Sequence, residues 1–97
     1  MSLSLPEIIL QSKILFSNLE IPSAYLFGSY AKGTQTESSD IDFVLDFGPK
    51  LTRSDLRKIG EAKESLDSIF INKEIDLVIS PSNEFYEKIR NHMIKLL

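Results

Sequence analysis

Hydrophobic residues recur along this chain at two different spacings. Leu5, Ile8, Ile9, Leu15, Phe16 and Leu19 fall at three- and four-residue intervals, which predicts an amphipathic helix over about 5–20. Ser4 ahead of Pro6 and Glu7 forms a capping-box start, and Pro22 closes the region. Ala24-Tyr25-Leu26-Phe27 is a short apolar run stopped by Gly28-Ser29, and Ser29 can cap a brief helix through Tyr30, Ala31 and Lys32 that Gly33 terminates. After a polar loop, Thr34 to Ser39, the period changes to two. Ile41, Phe43, Leu45 and Phe47 share one parity of a strand at about 40–47, which Gly48-Pro49 breaks. Thr52 and Asp55 cap a second long helix, about 53–69, striped by Leu56, Ile59, Ala62, Leu66 and Ile69. Ile75, Leu77 and Ile79 give a further strand at 74–79. Ser80-Pro81-Ser82 starts a last helix on which Phe85, Ile89, Met93 and Leu96 line up.

This order predicts an α/β (α+β) fold: a mixed sheet of three to four strands with helices packed mainly on one face. The strand–helix–strand unit from 40 to 79 should be a right-handed crossover joining parallel strands. Its two strands are near copies, Ile41-Asp42-Phe43-Val44-Leu45 and Ile75-Asp76-Leu77-Val78-Ile79. The apolar parity of each needs a covered face, so Asp40, Asp42 and Asp76 fall together on the opposite one. Asp40 and Asp42 project the same way, about 6.5–7 Å apart along the strand. With the strands in register, Asp42 and Asp76 come within about 5–6 Å. At an effective dielectric of about 20, two unit charges about 4–5 Å apart cost roughly 3–4 kcal/mol, which a bound divalent cation offsets. By itself an Asp-x-Asp tripeptide also fits ordinary surface aspartates or a Ser38-Ser39-Asp40 turn.

The Gly28-Ser29 turn adds a second chemistry. The free N–H groups and hydroxyl at a helix start favour an anion, and glycine lets a phosphate approach the backbone. Lys32 could add positive charge there, or be a solvated lysine on a surface turn.

Read as one string, Gly28 to Leu45 is GSYAKGTQTESSDIDFVL. A Gly-Ser pair, ten residues, Asp-x-Asp and a third Asp on a later strand resemble the signature of the DNA polymerase beta-like nucleotidyltransferase superfamily, in particular its minimal nucleotidyltransferase branch. Ala31, Gly33, Ser39 and Ile41 also stand where that branch has them. The match spans about half the chain, and residues 1–20 and 81–97 carry no motif. The resemblance implies a polymerase beta palm-like fold in which Asp40, Asp42 and Asp76 are catalytic and hold one or two Mg²⁺ ions. It implies that Gly28, Ser29 and Lys32 bind the nucleotide, with AMP passing from ATP to a hydroxyl acceptor. Stand-alone members are commonly the antitoxin half of a pair with a HEPN-domain ribonuclease toxin, so the implied acceptor is a tyrosine of that partner. Two alternatives stay open: a small-molecule nucleotidyltransferase of the aminoglycoside-modifying kind, and a non-catalytic module that neutralises a toxin by contact.

Composition narrows the partners. Ninety-seven residues suit a single domain over 1–97, and 42% apolar with 26% charged content reads as globular. A net charge of −3 argues against long nucleic acid, which is bound through clustered Lys and Arg. Cysteine is absent, which removes disulfides and thiolate metal sites. No apolar stretch approaches a membrane span and no signal-peptide pattern opens the chain, so the expected location is cytoplasmic. A homo-oligomer is left open. His92, the single histidine, reads as a surface residue, and Glu37, Asp46 and Glu74 read as solvated charges. Tyr86, Ile94, Leu96 and Leu97 suggest a core edge with a frayed terminus, or else a partner interface.

Overall fold

The computed structural model describes residues 3–97, so Met1 and Ser2 of the expected domain lie outside it. Helix α1 spans Leu5–Asn18; β1, Ser23–Phe27; the one-turn α2, Ser29–Lys32; β2, Ile41–Asp46; α3, Arg53–Ile69; β3, Ile75–Ile79; α4, Asn83–Ile89; and β4, Ile94–Lys95. The sheet order is β3-β2-β1-β4. β1 runs antiparallel to both β2 and β4, whereas β2 and β3 are parallel, joined through α3 as the sequence predicts.

Side-chain caps set the helix starts. Ser4 Oγ accepts from the Glu7 N–H at 3.3 Å and donates to Glu7 Oε1 at 3.1 Å. Thr52 and Asp55 exchange a full capping box, each side chain accepting from the other's backbone N–H. Helix α1 stops two residues short of the expected end. Glu20 takes a left-handed φ of 57°, and the Ile21 N–H reaches back to the Phe16 carbonyl at 3.0 Å, closing the helix without glycine.

One face of the sheet carries the core. Ile41, Phe43 and Leu45 of β2 and Ala24 and Leu26 of β1 are fully buried against Ile8 and Phe16 of α1 and Ala62 and Leu66 of α3. Phe16 and Phe43 meet edge to face at 5.3 Å. The ends of the α3 stripe fall outside this core: Leu56 is 57% and Ile69 40% exposed. Among the described residues, no helix is long and apolar enough to cross a membrane.

Three expectations need correction. The last helix does not continue through Met93 and Leu96. It ends at Ile89, a 3₁₀ turn carries Arg90–His92, and the chain then extends as β4. Pairing with the open edge of β1 outweighs the helical spacing, because the Leu96 N–H bonds the Ala24 carbonyl at 2.9 Å and Leu96 becomes buried. These last residues therefore form a paired sheet edge in place of the expected frayed end. Asp46 is not a solvated charge either. It accepts from the Tyr86 hydroxyl at 2.5 Å and from the Gly48 N–H at 2.8 Å, tying α4 to β2 across forty residues. Burial first, and then this carboxylate, push the Tyr86 hydroxyl well above the usual tyrosine range. Tyr86→Phe is expected to cost about 1 kcal/mol, the lower end for a bond to a charged acceptor because the pair is half-exposed; urea unfolding at pH 7 measures it.

Candidate active site

The three aspartates and the Gly28-Ser29 turn lie at one end of the sheet, where β1 finishes and β2 and β3 begin. Leaving β1, the chain turns through Gly28 at φ 78°, ψ −156° and enters α2. The Lys32 N–H bonds the Gly28 carbonyl at 3.0 Å, and the Thr34 N–H bonds that of Ser29 at 3.0 Å. Gly28 caps this turn with no side chain, so nothing of its own competes for the first N–H groups of the turn. Ser29 is half-buried beside them, and Gly33, left-handed at φ 78°, ends the helix as the sequence predicts.

Period two in β2 and β3 does the rest. Asp42 stands opposite Asp76 in the parallel ladder and opposite Phe27 in the antiparallel one. Its carboxylate lies directly on the Gly28 backbone: a β-carbon at residue 28 would overlap Asp42 Oδ2 and sit 3.0 Å from Cγ. The acid and the glycine-serine turn thus form one surface. Asp76 is exposed, and Asp40 is exposed just ahead of β2. Partial burial, then a hydrogen bond with Asp76, then the charges of Asp76 and Asp40 raise the Asp42 carboxyl to about 6.

The three acids are not equally placed. Register pairs Asp42 with Asp76, whereas Asp40 acts on Asp42 as a nearby charge. Among the described residues no group of three His, Cys, Asp or Glu side chains is preformed to hold a metal ion. The donor chemistry nonetheless fits one: carboxylate oxygens suit a hard divalent cation, and Asp42 lies beside the carboxylates of Asp76 and Asp40. Titration of the Asp42 carboxyl by carbon NMR is expected to show a midpoint near 6 that moves down when Mg²⁺ is added; a midpoint unmoved by Mg²⁺ would remove Asp42 as a ligand.

Lys32 is exposed at the end of α2, and neither ion pair found among the described residues involves it. Glu37 and Glu74 are exposed, as is His92 on its 3₁₀ turn. Sequence reasoning passed over the aromatic wall beside the acids. Phe27 meets Phe85 edge to face at 5.4 Å, and Tyr25 meets Tyr86 at 5.8 Å, so α4 covers the β1 side of the acid face up to Phe27, the cross-strand partner of Asp42. Only period two in β1, which puts Tyr25 and Phe27 on the acid face, hinted at it. A groove of about 690 Å³ lies around the corner, lined by Tyr30, Gln35, Thr36, Glu37, Phe70 and Lys73 among others, and holds none of the three acids.

A mixed sheet presenting a carboxylate pair against a glycine-serine turn defines the nucleotidyltransferase class of fold. The family model described as polymerase beta, nucleotidyltransferase, matches residues 10–96, and the chain belongs to that family of enzymes. A Methanocaldococcus jannaschii protein named "putative protein adenylyltransferase" is 37% identical over 70 residues, 72% of this chain and 77% of the relative. Two solved structures share the fold. A toxin-antitoxin crystal structure with AMP-PNP superposes with a TM-score of 0.65 at 28% identity, covering 90% of this chain and 72% of that one. A mutant MntA-HpeT toxin-antitoxin structure gives 0.66 at 27% identity, covering 98% and 73%.

Proposed function

We propose that this protein is a Mg²⁺-dependent adenylyltransferase that moves AMP from ATP to a tyrosine of a partner HEPN toxin, acting as its antitoxin. The observation that carries the reading is the in-register Asp42–Asp76 pair seated against Gly28. Likeness to a protein adenylyltransferase and to toxin-antitoxin complexes, one of them with AMP-PNP, supports the nucleotide and the partner.

In this mechanism the backbone of Gly28 and the hydroxyl of Ser29 grip the outer phosphates, with Lys32 adding positive charge at the rim. Asp40, Asp42 and Asp76 are the residues that would hold Mg²⁺. When bound, the ion supplies charge neutralisation on the triphosphate and a template for in-line displacement. Asp76, the exposed member of the pair, orients the acceptor hydroxyl and takes its proton. The acceptor oxygen forms its bond to the α-phosphorus as the bond to the bridging oxygen breaks, and pyrophosphate leaves. The reaction is cytoplasmic in this reading.

ATP labelled at the α-phosphate, incubated with Mg²⁺, this protein and a HEPN protein encoded beside it, tests the proposal. Label is expected on a partner tyrosine, with none transferred from γ-labelled ATP. Label on an aminoglycoside and not on protein would favour the small-molecule alternative. A triple Asp→Asn variant that still protects cells from the toxin would reduce the protein to a binding module.

A further inference from the structure

Lys73 sits in the turn between α3 and β3, three residues ahead of Asp76. Its ammonium donates to the Glu37 carbonyl at 2.6 Å, three residues ahead of Asp40, across a sequence gap of 36. The same nitrogen lies 5.6 Å from the ring centroid of Tyr30, which is only 2% exposed and directly follows Ser29. One charged group therefore touches the segments that deliver all three parts of the site: the phosphate turn, the Asp40 loop and the Asp76 strand.

The loop needs such a tie. Residues 34–38 are exposed, and the bonds within it are local: Thr36 N–H to Ser39 Oγ at 2.8 Å and Ser39 N–H to the Thr36 carbonyl at 3.1 Å. These fold the loop on itself without fixing it to the sheet. An ammonium-to-carbonyl bond is charge-assisted, which strengthens it even at this exposed position, where Lys73 itself is half-buried. Tyr30, held in the core, gives the ammonium a rigid platform through its ring face. Asp40 itself has no register partner in the sheet: the Ile41 N–H just after it bonds the Glu74 carbonyl at 2.9 Å, so the sheet holds Asp40 from one side and the loop before it is what holds the other.

We propose that Lys73 is a positioning residue of the acid site, fastening the Asp40 loop to the Asp76 turn over the Tyr30 ring. Its effect on transfer rests on the function proposed above, whereas the tie itself does not.

Lys73→Met and Lys73→Arg, compared with wild type, test it. In the Met variant, amide hydrogen exchange over residues 36–40 is expected to quicken about tenfold while the thermal midpoint holds within about 3 °C. Turnover should fall about tenfold with KM for Mg-ATP changed less than about twofold, since the loop places an acid and does not grip the phosphates. Arginine, which can donate to the same carbonyl and stack on the same ring, should restore both. Unchanged loop exchange, loss of the fold as a whole, or an Arg variant as impaired as Met would overturn the proposal. So would quickened exchange with unchanged turnover. If the wild type transfers no AMP, the proposed function fails, and the exchange difference between Met and Arg still decides whether the tie exists.

Discussion

Asp42→Asn is expected to lower AMP transfer by about a thousandfold or more and, at neutral pH, to make the folded protein more stable. The rate loss follows from removing a carboxylate that lies between the glycine turn and Asp76, where metal and phosphate charge would be stabilised. The stability gain follows from the same position. Folding raises the Asp42 carboxyl from 3.8 to about 6, so the native state favours its protonated form. That contribution is fully present below about pH 4 and is lost as pH rises through 6, leaving an ionised Asp42 that opposes folding at pH 7. Because the group is partly solvated, the full shift overstates the penalty, and roughly 1 kcal/mol remains after discounting for screening. Asparagine keeps the shape and loses the charge. Thermal unfolding should therefore show the variant about 4–8 °C above wild type at pH 7, with the gap closing at pH 4. Saturating Mg²⁺ should raise the wild type and leave the variant unmoved. A variant less stable than wild type at pH 7 would make Asp42 a structural residue, and retained transfer would take it out of the mechanism.

The legibility of this site in the sequence has a simple cause. β2 and β3 are each buried on the Ile41/Phe43/Leu45 and Ile75 parity, so a period of two fixed which face their aspartates take. That parity excludes one-residue slips, and among the registers it allows the two near-identical strands take the one that sets Asp42 opposite Asp76. Gly28 and Gly33 were legible because the turn they bracket needs positive φ at both ends. What stayed hidden depends on pairings between distant segments. Ile89, Met93 and Leu96 keep a helical interval, and only the unpaired edge of β1 decides that Leu96 belongs to a strand. Nothing near Asp46 announces Tyr86, and nothing near Glu37 announces Lys73. Val44 illustrates the same point. It lies on the acid face, yet it is fully buried, beside its cross-strand neighbour Tyr25, which packs edge to face on Tyr86. The acid face is thus open at Asp76 and covered along β1, a boundary set by α4 and absent from the local pattern.

Gly28→Ala is the second large effect, and Gly33→Ala is its control. Both glycines have φ of 78°, so an added methyl strains the backbone at either place. Their surroundings differ. At Gly33, ψ is 19°, the ordinary left-handed region, and nothing lies within 4 Å of the new carbon, so the expected cost is about 1 kcal/mol with transfer close to wild type. At Gly28, ψ is −156°, a region almost reserved for glycine, where strain alone costs about 1–3 kcal/mol. The new carbon would also overlap Asp42 Oδ2 and lie 3.3 Å from its Cβ, so either the carboxylate swings away from Asp76 or the turn backs off from the sheet. Each adjustment separates the phosphate grip from the acids by a sizeable part of an ångström, and misplacement on that scale costs transfer about a hundredfold. Urea unfolding and single-turnover AMP transfer, run on both variants, separate strain from steric displacement. Equal losses in the two would mean that the close approach of Gly28 to Asp42 has no part in catalysis. A Gly28 variant far worse in transfer than its added instability explains would establish that this turn and this acid act as one surface.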